Sequence, residues 1–408
     1  MHPKQISEWR KLPLTLADLC IETTLRCGQS FRWRKINDEW NCVLYGRLLS
    51  LKQDKSHLHY RVTSTITPGA LTPGALTPPS SVQCESEIHE DDTETLLSHY
   101  FSLKHDLASL YDQWSKSDAN FRKKAPKFTG IRILSQDPWE ALIAFICSSN
   151  NNISRISQMV HKLCVYYGPL VGHVGDEAFH DFPTPQALSG KKVEAHLREL
   201  GFGYRAKYIA ETARIVTKEK PEGWLESLIN PDNPGWSAGE MTTAADLPTY
   251  RHAHEQLLLL SGVGPKVADC VCLMGLGWGE AVPVDTHVWQ IAQRDYKFGK
   301  AKTKTFSKVM YDSVGDHFRK IWGEQAGWAQ SVLFTANLKS FSEQASTKAE
   351  PVDIKVEVNE VEKVATVDEA TPILRKRRRT TVVETVKIEE PMSTGMVRAT
   401  RKKRKTRA

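Results

Sequence analysis

The alternation of hydrophobic and polar positions predicts a small β-sheet at the beginning of the chain. Short runs rich in aromatic and branched residues are separated by turn pairs such as Asn-Asp and Gln-Asp. The predicted strands cover residues 29–36, 40–44, 48–52 and 57–62. Because no helix separates these strands, we expect them to pair in antiparallel fashion.

Apolar residues recur at helical spacing after residue 92. The predicted helices cover residues 93–103, 107–114, 136–147, 153–167, 184–189, 193–200, 204–218, 251–260, 265–276, 286–294, 306–318 and 328–338. The pattern therefore predicts an α+β fold class. We expect an N-terminal antiparallel β-sheet domain over residues 1–128 and an all-helical domain over residues 129–341.

Three segments lack a hydrophobic period. A Pro/Gly/Thr-rich tract with a tandem Thr-Pro-Gly-Ala-Leu repeat predicts a disordered insert in the sheet domain near residues 63–91. A second insert covers residues 230–249, and we assign no role to either insert. Residues 342–408 are predicted to be a disordered tail.

The formal net charge of +7 is concentrated in this tail. Residues 371–408 carry a surplus of ten positive charges and residues 343–370 a deficit of five, which leaves +2 for residues 1–342. A body this close to neutral cannot hold a polyanion by bulk charge. To bind a polyanion, this part of the chain would need a local patch of positive charge and the backbone N–H groups of helix ends.

Two basic clusters in the tail, residues 375–379 and 401–405, indicate recognition by the nuclear import machinery or a non-specific DNA arm. We therefore expect a nuclear protein, and the ambiguous first residues leave a mitochondrial fraction open. No apolar run is long enough to cross a bilayer, and the N-terminus lacks the apolar core of a secretory signal. The expectation is a soluble monomer that does not bind membranes.

The run of residues 257–270 predicts two helices joined by a tight hairpin. Gly262-Val263-Gly264 permits a sharp reversal, and Pro265 suits the first position of a new helix. The N–H groups at the start of that helix suit a phosphate oxygen. Lys266 falls in the first turn, where the helix dipole disfavours the protonated amine. The simpler alternative is an ordinary helical corner with a surface lysine.

A second helix begins after Asp285, which has the type and position of an N-cap residue. An N-cap carboxylate lies at the positive end of the helix dipole and ionises easily. An amine and an ionised carboxylate can serve as nucleophile and electrostatic partner of a developing cation. The alternative for Asp285 is a plain helix cap, and the two roles are compatible.

Several segments resemble one family of DNA repair enzymes. The hairpin, the Gly/Pro-rich loop 275–285 and Asp285 together resemble the helix-hairpin-helix DNA glycosylases, with the motif over about residues 251–295. Within that superfamily, the chain is most similar to the eukaryotic 8-oxoguanine DNA glycosylase/AP lyases. The matching segments are 28–33 (Gly-Gln-Ser-Phe-Arg-Trp), 145–153 (Phe-Ile-Cys-Ser-Ser-Asn-Asn-Asn-Ile), 203–208 (Gly-Tyr-Arg-Ala-Lys-Tyr) and 327–334 (Gly-Trp-Ala-Gln-Ser-Val-Leu-Phe).

The resemblance implies a base-excision-repair enzyme that acts on damaged double-stranded DNA. It would flip 8-oxoguanine out of the duplex when cytosine is the partner base. Lys266 would attack C1′, release the base and leave an imine, and loss of a C2′ proton would then cleave the strand on the 3′ side by β-elimination. Asp285 would stabilise the oxocarbenium-like sugar.

The resemblance also implies a pocket for the flipped base. Cys270 would pack against one face of the base and Phe334 against the other. The Gln330 amide would contact the Watson–Crick edge of the purine. The backbone carbonyl of Gly28 would accept the proton that N7 carries in 8-oxoguanine but not in guanine.

Further residues match the family's DNA contacts. Asn150, Arg155 and Arg205 would contact the orphaned cytosine, and Tyr204 would act as a wedge in the vacated stack. His287 would bind a phosphate that flanks the lesion. In the hairpin, Gly262 and Gly264 would let the backbone approach the DNA.

The resemblance implies no required cofactor. Backbone carbonyls of Leu258, Leu260 and Val263 would ligate a structural monovalent or divalent cation at the hairpin, where Ser261 replaces the family's usual proline. An iron–sulfur cluster is not expected, because the chain has no cysteine after Cys272. Two alternatives stay open: a glycosylase for a different damaged base, and a non-catalytic DNA-binding protein that retains the hairpin.

Overall fold

The structure, a computed structural model, describes residues 5–64, 92–236, 247–299, 307–338 and 341. The predicted tail over residues 342–408, nearly all of the first insert and residues 237–246 of the second lie outside these residues. The strands are β1 (Gln5–Ile6), β2 (Arg10–Pro13), β3 (Arg34–Ile36), β4 (Glu39–Leu44), β5 (Arg47–Gln53), β6 (His57–Ser64), β7 (Leu170–Val174) and β8 (Glu177–His180). The helices are α1 (Ile21–Thr24), α2 (Thr93–Tyr100), α3 (Leu107–Ser117), α4 (Ala119–Lys124), α5 (Pro138–Cys147), α6 (Ile153–Tyr167), α7 (Pro185–Leu188), α8 (Val193–Glu199), α9 (Arg205–Lys218), α10 (Tyr250–Leu257), α11 (Pro265–Met274), α12 (Thr286–Tyr296), α13 (Lys308–Trp322) and α14 (Ala326–Asn337).

The N-terminal strands form one antiparallel sheet in the order β1-β6-β5-β4-β3, and β2 also pairs with β6. The inner face packs on α2 through a cluster that includes Leu49, Leu58 and Leu97. The predicted α+β class with an N-terminal antiparallel sheet is therefore confirmed. The strands β1 and β2 were not predicted, because each is too short to show a clear alternation of polar and apolar residues.

The predicted strand 29–36 is wrong over its first five residues, since β3 covers only Arg34–Ile36. The reason lies in the side chain of Gln29. Its amide nitrogen donates to the carbonyl of Arg132 at 2.8 Å, and its amide oxygen accepts from the N–H of Leu134 at 2.9 Å. A side chain therefore makes the bonds that a neighbouring strand would otherwise provide, and the segment remains a buried loop.

The helical part is built around α5, in which all ten residues are buried. Helix α11 packs against α5. The two helices approach closely at Gly275, where an added Cβ would lie 3.0 Å from the Cβ of Ala141. Each of the twelve predicted helices has a counterpart in the described residues, although the ends differ by a few residues. None of the described helices is long and apolar enough to span a bilayer.

The region predicted to be all-helical also contains a β-hairpin, formed by the antiparallel strands β7 and β8. Phe179 of β8 packs with Val43 and Leu48 on the other face of the sheet. The short helices α1 and α4 were not predicted either. Residues on both sides of the predicted boundary at 128/129 share cores, since Phe31 lies in the helical core and Leu134 in the core of the sheet.

Candidate active site

The predicted hairpin joins α10 to α11 and is confirmed. Gly264 is the N-cap residue of α11, and Pro265 occupies the first turn. Gly262 has a φ of +77°, and an added Cβ would lie 2.5 Å from ring carbons of Tyr208 on α9. Glycine is therefore required at Gly262 both by its conformation and by the close approach of this ring. Gly264 is exposed and extended, with open space around its Cα.

Lys266 extends from the first turn of α11 towards the end of α5. Its Nζ donates to the Oγ of Ser148 at 3.1 Å and lies 5.2 Å from the centre of the Phe145 ring. The Ser148 hydroxyl in turn donates to the carbonyl of Phe145 at 2.7 Å. The amine is thus held between a hydroxyl and an aromatic face. The role of Ser148 was missed, although the residue lies inside the matched segment 145–153.

Asp285 is the N-cap residue of α12, as predicted. Its carboxylate accepts from the N–H of Val288 at 2.9 Å, which leaves the second carboxylate oxygen for another partner. Asp285 and Lys266 line the same pocket. The structure therefore brings together the amine and the carboxylate that the sequence predicted as nucleophile and electrostatic partner.

The four residues predicted to bind the base line this pocket as well. Cys270 is buried, and this burial raises the pKa of its thiol to about 11, against the opposing effect of the nearby Lys266. Gln330 is buried and Phe334 half-buried on α14. Gly28 has a φ of +87°, and an added Cβ would lie 3.1 Å from Cδ1 of Ile153.

Other pocket residues were not predicted. They are Cys27, Gln29, Phe145, Met274, Pro283, Val288, Ser331 and Thr335. Met274 lies one helical turn after Cys270, and Ser331 and Thr335 flank Gln330 and Phe334. No chemical feature of these residues in the sequence distinguished them as pocket residues.

The residues predicted to contact cytosine lie on the loop after α5 (Asn150), on α6 (Arg155) and at the start of α9 (Arg205). Arg205 is 3% exposed and donates to the carbonyls of Ser149 and, at 3.0 Å, Asn150. Its guanidinium lies 4.5 Å from the centre of the Tyr204 ring. Tyr204 is 46% exposed and donates to the same Ser149 carbonyl at 2.9 Å. The structure thus brings Arg205, Asn150 and Tyr204 together, with Arg205 directed at backbone carbonyls.

Asn150 and two further predicted DNA-binding residues, Arg155 and His287, are exposed. Asn150 has a φ of +47°, and Arg155 on α6 donates to the carbonyl of Gly201 at 3.4 Å. His287 on α12 meets the Phe334 ring edge to face, with ring centres 5.8 Å apart. His287 is therefore adjacent to the pocket that contains Lys266.

The donor set predicted for a cation consists of backbone carbonyls at the end of α10. Leu258 is the C-cap residue, and the carbonyl of Leu260 accepts from the N–H of Val263 at 3.3 Å. Carbonyls at a helix C-terminus carry partial negative charge, so the set suits a hard cation. Among the described residues, no group of three or more His, Cys, Asp or Glu side chains could hold a metal ion.

Two family models match the chain in sequence. Residues 11–142 match the model described as 8-oxoguanine DNA glycosylase, N-terminal domain. Residues 143–312 match the model described as HhH-GPD superfamily base excision DNA repair protein. The second match includes the hairpin, Lys266 and Asp285.

Curated proteins similar to this chain include N-glycosylase/DNA lyases from two eukaryotes. The protein of Saccharomyces cerevisiae is 38% identical over 361 residues, which cover 83% of this chain and 88% of the relative. That of Arabidopsis thaliana is 35% identical over 372 residues, which cover 88% of this chain and 89% of the relative.

Solved structures share the fold. The protein named MBOgg1, solved in complex with a low-affinity DNA ligand, is 25% identical with a TM-score of 0.62 and covers 82% of this chain and 98% of its own. The 8-oxoguanine glycosylase/lyase of Clostridium acetobutylicum, solved with double-stranded DNA containing cytosine opposite 8-oxoguanine, is 24% identical with a TM-score of 0.60. This second match covers 78% of this chain and 91% of its own, and it bears on the fold alone.

Proposed function

Because the chain belongs to the N-glycosylase/DNA lyase family of 8-oxoguanine DNA glycosylases, we propose that it excises 8-oxoguanine from duplex DNA and cleaves the strand at the resulting abasic site. It is a bifunctional DNA N-glycosylase and DNA-(apurinic or apyrimidinic site) lyase. The observation that carries this proposal is the pocket lined by both the Lys266 amine and the Asp285 carboxylate.

The chemistry begins with the neutral amine of Lys266. Its lone pair forms a bond to C1′ of the flipped nucleotide while the bond from C1′ to N9 breaks, and the departing base takes up a proton. The sugar carries positive charge as the base leaves, and the carboxylate of Asp285 stabilises that charge. Opening of the sugar ring then yields an imine between Nζ and C1′. Loss of a C2′ proton expels the 3′ phosphate by β-elimination.

The pocket residues support recognition of an oxidised purine. Cys270 and Phe334 would enclose the base, the Gln330 amide would bind its Watson–Crick edge, and the Gly28 carbonyl would accept from the proton on N7. The positive φ of Gly28 disfavours any side chain at that position, and an added Cβ would require Cδ1 of Ile153 to shift by a few tenths of an ångström. These four roles are proposals that rest on the family match and on the shared pocket.

Recognition of cytosine is proposed for Asn150, Arg155 and Arg205, with Tyr204 as the wedge. Arg205 would have to exchange its bonds to the Ser149 and Asn150 carbonyls for bonds to the base. The exchange costs little if the new acceptors are equally good, and it makes the cytosine contact conditional on DNA binding. His287 would hold a phosphate next to the lesion.

The hairpin would bind the DNA backbone through the N–H groups at the start of α11, with Gly262 and Gly264 allowing close approach. A cation on the carbonyls of Leu258, Leu260 and Val263 would add positive charge to this surface. We propose that the reaction needs no cofactor and that the protein contains no iron–sulfur cluster.

The remaining proposals concern the whole chain. Damaged double-stranded DNA is the partner, and the protein acts as a monomer. The basic tail clusters would direct it to the nucleus through the import machinery. The domain division remains a sequence-based proposal: a sheet domain over residues 1–128, a helical domain over 129–341 and a tail over 342–408.

The test is covalent trapping with borohydride, which reduces the imine to a stable bond. Duplexes carry 8-oxoguanine opposite cytosine or adenine, or an abasic site, and the variants are Lys266→Gln and the control Lys116→Gln, which changes an exposed lysine on α3. We expect trapping by the wild type and by Lys116→Gln only. Absence of trapping in the wild type, or full trapping in Lys266→Gln, contradicts the lyase assignment.

Two further outcomes separate the remaining functions. Faster release from pairs with adenine than with cytosine would contradict the roles of Asn150, Arg155 and Arg205. Trapping on abasic DNA without release of 8-oxoguanine from any duplex would indicate a glycosylase for a different base. Tight binding without any covalent product would indicate a DNA-binding protein that retains the hairpin.

A further inference from the structure

Helix α11 contains a buried carboxylate in addition to the residues of the pocket. Asp269 is 1% exposed and lies three residues after Lys266 and directly before Cys270. Its Oδ1 accepts from the hydroxyl of Tyr250 at 2.6 Å, and its Oδ2 accepts from the hydroxyl of Tyr311. Burial of a carboxylate is costly unless hydrogen-bond donors replace the lost water. The two tyrosine hydroxyls are such donors.

Two basic side chains, His254 and Arg319, also lie near the carboxylate. The Nε2 of His254 lies 3.6 Å from Oδ1 of Asp269. Arg319 lies 5.6 Å from the centre of the Tyr250 ring and contributes attraction to Asp269. The bonds satisfy Asp269 and fix its place in α11. The two tyrosines come from different helices: Tyr250 from α10 and Tyr311 from α13.

The two tyrosines differ in what else their hydroxyls contact. The hydroxyl of Tyr311 donates to Asp269 and also accepts from the backbone N–H of Val284 at 3.4 Å. Val284 is 2% exposed and directly precedes Asp285. A single hydroxyl therefore joins α11, which carries Lys266, to the segment that carries Asp285.

We propose that Tyr311 is a positioning residue, which sets the Asp285 carboxylate at the correct place relative to Lys266. This inference rests on the proposed function. The Asp285 side chain is already oriented by its own N-cap bond to Val288, but that bond fixes it only relative to α12. The hydroxyl of Tyr311 links α11 to Val284, the residue that directly precedes the N-cap residue of α12. Small displacements of a catalytic group can cost roughly a hundredfold in rate, so such a link matters for the chemistry.

The cluster contains its own matched control. Tyr311→Phe and Tyr250→Phe each remove one hydroxyl from the same carboxylate and keep the ring. Only Tyr311→Phe also removes the acceptor of the Val284 N–H. A merely structural role of the cluster would make the two variants behave alike, whereas a positioning role would separate them.

The experiment measures both steps with the full-length chain. Single-turnover release of 8-oxoguanine gives the rate constant of base excision, and borohydride trapping on a duplex with a preformed abasic site reports on Lys266 alone. Affinity for duplex DNA and the midpoint of thermal unfolding are measured for each variant. Because the cationic sugar forms only while the base leaves, Asp285 should matter more for base release than for trapping on an abasic site.

We expect Tyr311→Phe to slow base release by about tenfold or more. Trapping on abasic DNA and DNA affinity should change less than threefold, as should both activities of Tyr250→Phe. Equal base-release rates in the two variants would overturn the inference, and so would an equal loss of both activities in Tyr311→Phe. Failure of the wild type to release the base would instead overturn the proposed function. If either variant unfolds at the assay temperature, the comparison is made below its unfolding midpoint.

Discussion

Ser148 lies where the amine of Lys266 has to be oriented before it can attack. Its hydroxyl is held by the Phe145 carbonyl and accepts from Nζ, so it directs the amine from the end of α5. An intramolecular hydrogen bond typically contributes about 0.5–1.5 kcal/mol. The contact assigns Ser148 an orienting role that the family motif did not indicate.

We expect Ser148→Ala to slow base release by about tenfold, because the amine loses its fixed acceptor. Single-turnover release of 8-oxoguanine measures this change. The control is Ser149→Ala, since the contacts of Ser149 to Tyr204 and Arg205 are made by its backbone carbonyl. A rate for Ser148→Ala equal to that of Ser149→Ala would contradict the orienting role.

The Cys270 thiol should stay protonated at neutral pH. Burial raises its pKa from the ordinary 9.0 to about 11, so roughly one molecule in a thousand carries the thiolate at pH 8. Folding thus favours the protonated thiol. The resulting contribution to stability is present below pH 9 and is lost as the pH rises from 9 to 11.

Iodoacetamide labelling followed by mass spectrometry tests this protection. In the native protein at pH 8, we expect Cys270 to react at least tenfold more slowly than the half-buried Cys20. The difference should disappear in denaturant. Equal native rates for the two cysteines would mean that the base pocket is open to solvent in a way that the structure does not describe.

Individual site residues differ in how far the sequence could predict them. The N-cap role of Asp285 was predictable because its partner, the N–H of Val288, lies three residues away. The inward direction of Arg205 was not predictable, because its acceptors belong to a loop more than fifty residues earlier. The link from Tyr311 to Val284 was missed for the same reason, because the two residues lie 27 positions apart in the sequence.

At the scale of elements, the hairpin between α10 and α11 depends on one glycine. Gly262→Ala would introduce a Cβ at a φ of +77° and 2.5 Å from the Tyr208 ring. We expect the free energy of unfolding to fall by about 1–3 kcal/mol, with a larger relative loss in DNA affinity because the hairpin must shift. Chemical denaturation and duplex binding measure the two effects.

Gly264→Ala is the control, because Gly264 is extended and an added Cβ meets nothing within 4 Å. Because alanine is less favourable than glycine at an N-cap, the free energy of unfolding of this variant should fall by no more than about 1 kcal/mol. If Gly262→Ala were equally well tolerated, the packing of Tyr208 against the hairpin would have no energetic importance.

The elements that the sequence missed share a physical feature. The strands β7 and β8 have few residues and are stabilised by packing of Phe179 against Val43 and Leu48, which are more than one hundred residues away in the chain. Hydrophobic periodicity cannot report such long-range contacts. The long amphipathic helices were predictable because each contains its own signal, and α6 for example begins at the N-cap residue Asn152.

At the scale of the whole molecule, charge and chemistry are separated along the chain. The residues proposed for catalysis and base binding all lie before residue 342, in a part with a net charge of +2, while the two tail clusters carry ten basic residues. A nearly neutral body suits selective contacts at helix ends, and a basic tail suits contacts with any DNA sequence. The tail should therefore affect the search for a lesion more than its excision.

Replacement of the ten basic residues at 375–379 and 401–405 by Gln tests this division. We expect the single-turnover rate of base release at saturating enzyme to stay within twofold of the wild type, because the pocket is unchanged.

Binding of the same variant to undamaged duplex DNA should weaken. Its salt dependence should also fall, since each lost phosphate contact reduces the slope of log K against log salt by about 0.9. A loss of two or more such contacts gives a decrease of at least about 1.8, which binding titrations between 50 and 200 mM salt can resolve. An unchanged slope would mean that the tail does not touch DNA, and nuclear import would then be its remaining proposed role.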